Sequence, residues 1–140
     1  MAFGAAVTDQ YKQDIINGLQ LSSDTYNIVL GTQAAAATWN KSIVTYTTSG
    51  ELATAGGYTQ GGIAMVGFTV GLSTDTAYLT WSTNPSWASA SFTADCCLIY
   101  NVTRSNHVVV VSSFGSTTAT NGTFTVQLPA AGTGAIVTIA

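Results

Sequence analysis

From Thr25 to the C-terminus, apolar and polar residues alternate with a period of two, the spacing that sends successive side chains to opposite faces of a pleated strand. The pattern is clearest from Ser91 to Gly115. Its first arm sets Phe92, Ala94, Cys96, Leu98 and Tyr100 against Thr93, Asp95, Cys97, Ile99 and Asn101, and its second arm, His107 to Val111, is a β-branched run that predicts a strand covered on both faces. This hairpin is the element against which the rest of the chain is expected to pack. Before it, Tyr26, Ile28 and Leu30 predict one strand and Val44 with Tyr46 a short second one, separated by an Ala-rich loop at Gly31 to Thr38 that lacks helical amphipathicity. Ala64, Val66, Phe68, Val70 and Leu72 predict a half-buried strand, turned at Ser73-Thr74-Asp75 into a partner carrying Ala77, Leu79 and Trp81. Beyond a Thr-rich turn at Ser116 to Gly122, Phe124, Val126 and Leu128 form a strand ended by Pro129, and Ile136 to Ile139 form the last. About eight strands at this spacing predict a mainly β fold, an antiparallel β-sandwich or barrel.

The helical signal lies at the start. Thr8 or Asp9 can cap a helix in which Tyr11, Ile15 and Leu19 share one face, opposite Gln10, Lys12, Asp14 and Asn17, with Gly18 as its stop. A helix this short is marginal alone, so its Tyr/Ile/Leu stripe is expected to dock on apolar surface. The 140 residues are read as a single β-rich domain, with an N-terminal arm and helix in residues 1–21. The uncharged arm Phe3 to Val7 and the turn-rich segment Gly50 to Gly62 are expected to reach neighbouring subunits.

Charge changes the picture. Three basic and six acidic residues make up 6% of the chain, against about 25% in an ordinary soluble domain. Ser and Thr, about a quarter of the residues, replace them, so the exterior should be hydroxyl-rich and nearly neutral. With a mean hydropathy of +0.33 and a net charge of −3, such a surface has little repulsion to keep copies apart, and a symmetric homo-oligomer is expected. Lys12, Lys41 and Arg104 are too scattered to make a basic stripe for nucleic acid. The most apolar window, Gly61 to Leu72, is broken by glycine and too short to span a membrane as a helix. MAFGAAVTDQ has neither the positive segment nor the apolar length of a signal peptide, which suggests synthesis in the cytoplasm.

Candidate chemistry is sparse. His107 is the only histidine, and the nearest acid in sequence across the hairpin is Asp95; six scattered carboxylates and one His select no acid–base pair, so no catalytic role is expected. One His and two adjacent Cys do not make a zinc site, and no calcium-loop spacing occurs, so neither metal nor cofactor is expected. Cys96 and Cys97 point to opposite faces and are read as buried thiols. The paired glycines around Tyr58 match no phosphate-binding spacing, and the sequons at Asn40, Asn101 and Asn121 are read as polar turns. Trp81 and Trp87, with Tyr58, could offer indole and phenol faces to a sugar, but large aromatics near strand ends more often plug a core or an interface.

The segments YKQDIINGL, SDTYNIVL, GYTQGG, SFTADCCLIYN, SSFG, GTFTVQLP and AIVTIA follow one another along nearly the whole chain. In that order and spacing they resemble a family of small β-rich virion proteins of tailed bacteriophages. The chain departs from that pattern at Asp95-Cys96-Cys97, where the family has a small or basic residue before LIYN. The resemblance implies a non-enzymatic structural protein, a head decoration (cement) subunit bound to the major capsid protein on the virion surface, and it brings no catalytic residues. Local three-fold positions of a hexagonal shell make a homotrimer the expected oligomer. Phe3, Val7, Tyr11, Ile15, Leu19, Tyr58, Trp81 and Trp87 are the candidate interface residues. The competing reading is a tail or fibre module that binds a host glycan.

Overall fold

The computed structural model describes residues 5–140. In chain order its elements are β1 (Ala5–Val7), α1 (Asp9–Ile16), β2 (Tyr26–Gly31), α2 (Gln33–Thr38), β3 (Ile63–Ala64), β4 (Phe68–Ser73), β5 (Thr76–Trp81), β6 (Ser86–Asn101), β7 (His107–Thr125) and β8 (Val137–Ile139). They form two antiparallel sheets, β1-β7-β6-β2-β3 and β4-β5-β8, stacked as a sandwich and not closed as a barrel.

The hairpin of β6 and β7 is the organising element, as expected, but it is longer than its hydrophobic centre. Pairing runs from Asn101↔His107 out to Ser86↔Thr125, so the Thr-rich stretch Ser116 to Gly122 is strand and not turn, and Phe124 continues β7 instead of opening a new strand. Threonine's branched Cβ fits a pleated strand as well as valine's does, and here cross-strand hydroxyl pairs, Ser86 with Thr125 at 2.8 Å and Thr93 with Thr118 at 2.7 Å, join the solvent side. The valine run is covered on both faces. Ile99 faces Val110 while Tyr100 faces Val108, so Val109 is the extra residue of a bulge; Val109 and Val110 enter the main core, and Val108 and Val111 enter a second cluster behind the sheet.

The main core lies between the sheets and joins Ile28, Leu30, Ile99 and Val110 to Leu79, Trp81, Ile136 and Val137. Each such side chain stabilises the fold by roughly 1.5–3 kcal/mol through burial. The second cluster sets Val29, Cys96, Leu98 and Tyr100 against Ala35 and Trp39. Gly31 to Thr38 is therefore not a loop throughout. Alanine has the highest helix propensity, Thr32 caps by accepting the Ala35 N–H at 3.3 Å, and the short α2 is held by burying Ala35 on the outer face of the large sheet. Val44 and Tyr46 form no strand; Thr45 makes a single bridge to His107, and the chain around it lies over the second cluster.

The expected strand from Ala64 to Leu72 is two strands, because Gly67, at φ +82°, breaks the extended run and the Ser82 N–H bonds its carbonyl. Its apolar face is only partly used. Phe68 stacks on Tyr26 at 5.3 Å, whereas Val66, Val70 and Leu72 are 56%, 62% and 76% exposed, since the hairpin of β4 and β5 projects beyond the sheet it packs on.

Candidate functional site

Helix α1 starts where the Thr8 hydroxyl accepts the Tyr11 N–H at 3.1 Å. It ends at Ile16, short of the expected Leu19, with Asn17 as its C-cap and Gly18 beyond at φ +72°. Its buried residues are Tyr11 and Asp14. Placing Asp14 on the solvent face is corrected: Asp14 sits one turn from Tyr11 on the inner side, because donors from β7, from α1 and from the segment after it converge there. His107 Nδ1–H donates to Asp14 Oδ2 at 2.9 Å, Gln20 Nε2 to the same oxygen at 2.6 Å, and Gln10 Nε2 to Oδ1 at 2.8 Å. The acid beside His107 is thus Asp14, 93 positions away, and not Asp95.

The contacts continue as a chain. Asn101 donates to Gln20 Oε1 and to Asp24 Oδ2, both at 2.9 Å, and Arg104 holds Asp24 through Nε at 2.9 Å and a terminal nitrogen at 3.0 Å. Two acids, two basic groups and three amides so tie α1 and the segment after it to the turn between β6 and β7. Burial acts to raise the Asp14 pKa, but the hydrogen bonds from His107, Gln10 and Gln20 and the charge of His107 outweigh it and hold the carboxyl below its ordinary value. Asp24 is held low in the same way, burial being outweighed by Arg104 and Asn101. Both shifts stabilise the folded state above the unfolded carboxyl pKa of about 3.9, and that contribution is lost as pH falls through the lower folded values. The melting temperature is therefore expected to drop below about pH 4 as these two carboxylates take up protons, with a shallower drop in Asp14→Asn. An acid limb of equal slope in Asp14→Asn, measured by calorimetry, would remove Asp14 from this account.

Beside the network, Gln20 and Leu21 face Phe68, Val70, Leu79 and Val137 across an apolar groove of about 330 Å³ floored by Tyr11. The two features share Gln20. A second buried carboxylate, Glu51, accepts the Tyr46 hydroxyl at 2.5 Å, the Tyr58 hydroxyl at 2.6 Å and the Gly61 N–H at 2.7 Å. Burial first, and then Glu51, raise the pKa of both phenols, which stay protonated donors. Chemically, both networks clamp backbone segments. Among the described residues no hydroxyl or thiol bonds the His107 ring, and burial pushes the Cys96 thiol up to about 12, far from a reactive thiolate. No group of three or more His, Cys, Asp or Glu that could hold a metal occurs among the described residues.

Of the candidate interface residues, Phe3 lies outside the described residues. Val7, Ile15 and Leu19 are half-buried, and Tyr11 is buried beneath the groove. Tyr58, Trp81 and Trp87 are 2%, 2% and 4% exposed: Trp81 packs edge-on to Phe68 and Tyr26, and Trp87 lies between Tyr58 and Phe124. Their faces are occupied by other rings of the same chain, which leaves no platform on which a sugar could stack in this conformation. Exposed apolar surface sits instead on Leu21, Val70 and Ile139, which line the groove, and on Ile16 and Leu72. The period-two pattern marked Val70 and Leu72 as apolar but carried no sign that their side of the sheet is open. No family model, curated protein or solved structure matches the chain.

Proposed function

We propose that this chain is a non-enzymatic structural protein of a tailed-phage virion, a head decoration (cement) subunit made in the host cytoplasm that works as a homo-oligomer on the major capsid protein. The observation that carries the reading is the combination of a rigidly clamped, nearly uncharged β-sandwich with open apolar surface around one sheet edge. A subunit that must lie on a lattice needs extended, low-charge surfaces for neighbours and a fold that does not yield under load. The polar clusters fit that role better than catalysis, since every carboxylate oxygen of Asp14 and Glu51 is engaged in bonds that hold the fold. A homotrimer would match local three-fold positions of a hexagonal shell.

The test is a cryo-electron microscopy map of the particle, labelled through a tag on this chain. Density in many copies over the head surface is the expected result; density confined to the tail tip would replace decoration with the host-binding reading.

A further inference from the structure

The edge formed by β4 is open in both of the senses that matter for pairing. In its sheet β4 has one neighbour, β5, and the hairpin between them closes through a two-residue loop with Ser73 facing Thr76. A two-residue loop makes the flanking pair a hydrogen-bonded one, so Ser73, Gly71 and Thr69 bond to β5 and the backbone groups of Phe68, Val70 and Leu72 point away from it. Among the described residues nothing bonds the outer edge at Val70 or Leu72. The side chains of the same two residues are 62% and 76% exposed.

Natural edges are blunted by charge, proline, bulges or a covering element. The strand Phe68-Thr69-Val70-Gly71-Leu72-Ser73 has no charge, no proline and no register shift against β5. It is also a hydropathic palindrome. Antiparallel pairing of two copies about Val70 sets Val70 against Val70, Leu72 against Phe68 on the same face, and Gly71 against Thr69 on the other. An extended partner has to offer apolar contact on one face and small or hydroxyl contact on the other while exchanging backbone bonds at residues 68, 70 and 72; a second β4 does all three.

We propose that β4 is a self-pairing edge through which two copies of this chain join, two-fold and antiparallel about Val70, into a continuous six-stranded sheet. The contact goes beyond the virion reading and stands without it: a pair in solution does not require a capsid, and a capsid location does not require this pair. If three-fold units form through other surfaces, this contact links one to the next. Backbone pairing supplies direction, and the covered Val70 and Leu72 supply the apolar gain. A five-residue edge is smaller than a standard interface of about 800 Å² per partner, so the association should depend on concentration.

The measurement is sedimentation of the full chain over a concentration series, with Val70→Lys alongside. The wild-type assembly is expected to be larger than the variant's, two copies against one where no other contact forms, because two lysines at the axis would face one another, while circular dichroism stays unchanged at so exposed a site. Equal masses for the two proteins overturn the proposal. Register is read separately with a short thiol-to-thiol cross-linker: Val70→Cys meets itself at the axis and should give a covalent pair. Leu72→Cys, whose copies lie roughly 13 Å apart along the strand, should not. Cross-linking of Leu72→Cys but not Val70→Cys would overturn the two-fold register, and the native Cys96 and Cys97 are buried away from the reagent.

Discussion

Glu51→Ala is expected to destabilise the fold by about 3–5 kcal/mol and to free the chain between Trp39 and Gly62 from the sheet beneath it. Three donors converge on that carboxylate from three directions, and Tyr58 in turn uses its hydroxyl oxygen to accept the Leu30 N–H at 3.0 Å. Removing the acceptor leaves the Tyr46 and Tyr58 hydroxyls and the Gly61 N–H unpaired in a site that is 6% exposed at Glu51 itself, each at a cost of about 1–3 kcal/mol before relaxation. The loss spreads because the same segment is held by stacking of Tyr46 on Tyr100 at 4.1 Å and by the Tyr100 hydroxyl on the Gly61 carbonyl at 3.0 Å. Glu51→Gln keeps one acceptor oxygen and should lose about half as much. Urea unfolding gives the magnitudes, and hydrogen exchange at Leu30 and Gly61 gives the location. An Ala variant as stable as wild type, with both amides still protected, would mean that water or another acceptor replaces the carboxylate.

The two halves of this architecture were unequally legible from sequence, and the difference has a physical cause. The strands of the large sheet could be read because burial on one or both faces demands apolar residues there: Ile28, Leu30, Leu98 and the valines are all buried. The exposed end of the ribbon formed by β6 and β7 could not, because Thr117, Thr118 and Thr120 satisfy a strand and a turn equally well, and only pairing with the opposite arm decides between them. Helix α2 was hidden for the converse reason. Six residues rich in alanine have no polar face to set against an apolar one, and what makes them helical is the Thr32 cap and the surface under Ala35. The candidate site was the least legible part. Asp14 carries the helix spacing of an inner residue, but an acid is placed outside by default, and its warrant for burial, His107, lies 93 positions away. Glu51 is likewise an isolated acid in a glycine-rich stretch until Tyr46, Tyr58 and Gly61 close around it. Long-range partners, not residue type, turn these carboxylates into clamps.

The glycine pair at residues 61 and 62 allows a sharper test of how that stretch is held. Both take positive φ, +93° and +69°, in the turn that delivers the chain from the Glu51 clamp into β3. At Gly61 an added Cβ would meet nothing within 4 Å, so Gly61→Ala should cost only the left-handed backbone penalty, about 1–2 kcal/mol. At Gly62 the same carbon would run into the Ile28 carbonyl oxygen and stand 2.7 Å from its carbon. Those atoms belong to the backbone of β2, which is paired with β6 on its other side and cannot withdraw without disturbing both ladders. Gly62→Ala must therefore push β3 off β2, break the Asn27↔Ala64 and Ile28↔Ile63 pairings, and pull the Gly61 N–H from Glu51. The expected cost is about 3 kcal/mol or more beyond that of Gly61→Ala, enough to unfold a domain of ordinary marginal stability or leave it partly melted at 25 °C. Paired melting curves of the two alanine variants decide the matter: if they coincide, Gly62 does not press on β2 and only the shared left-handed conformation counts, whereas a wide gap places the close approach of two backbones at the centre of what holds residues 51–64 to the sheet.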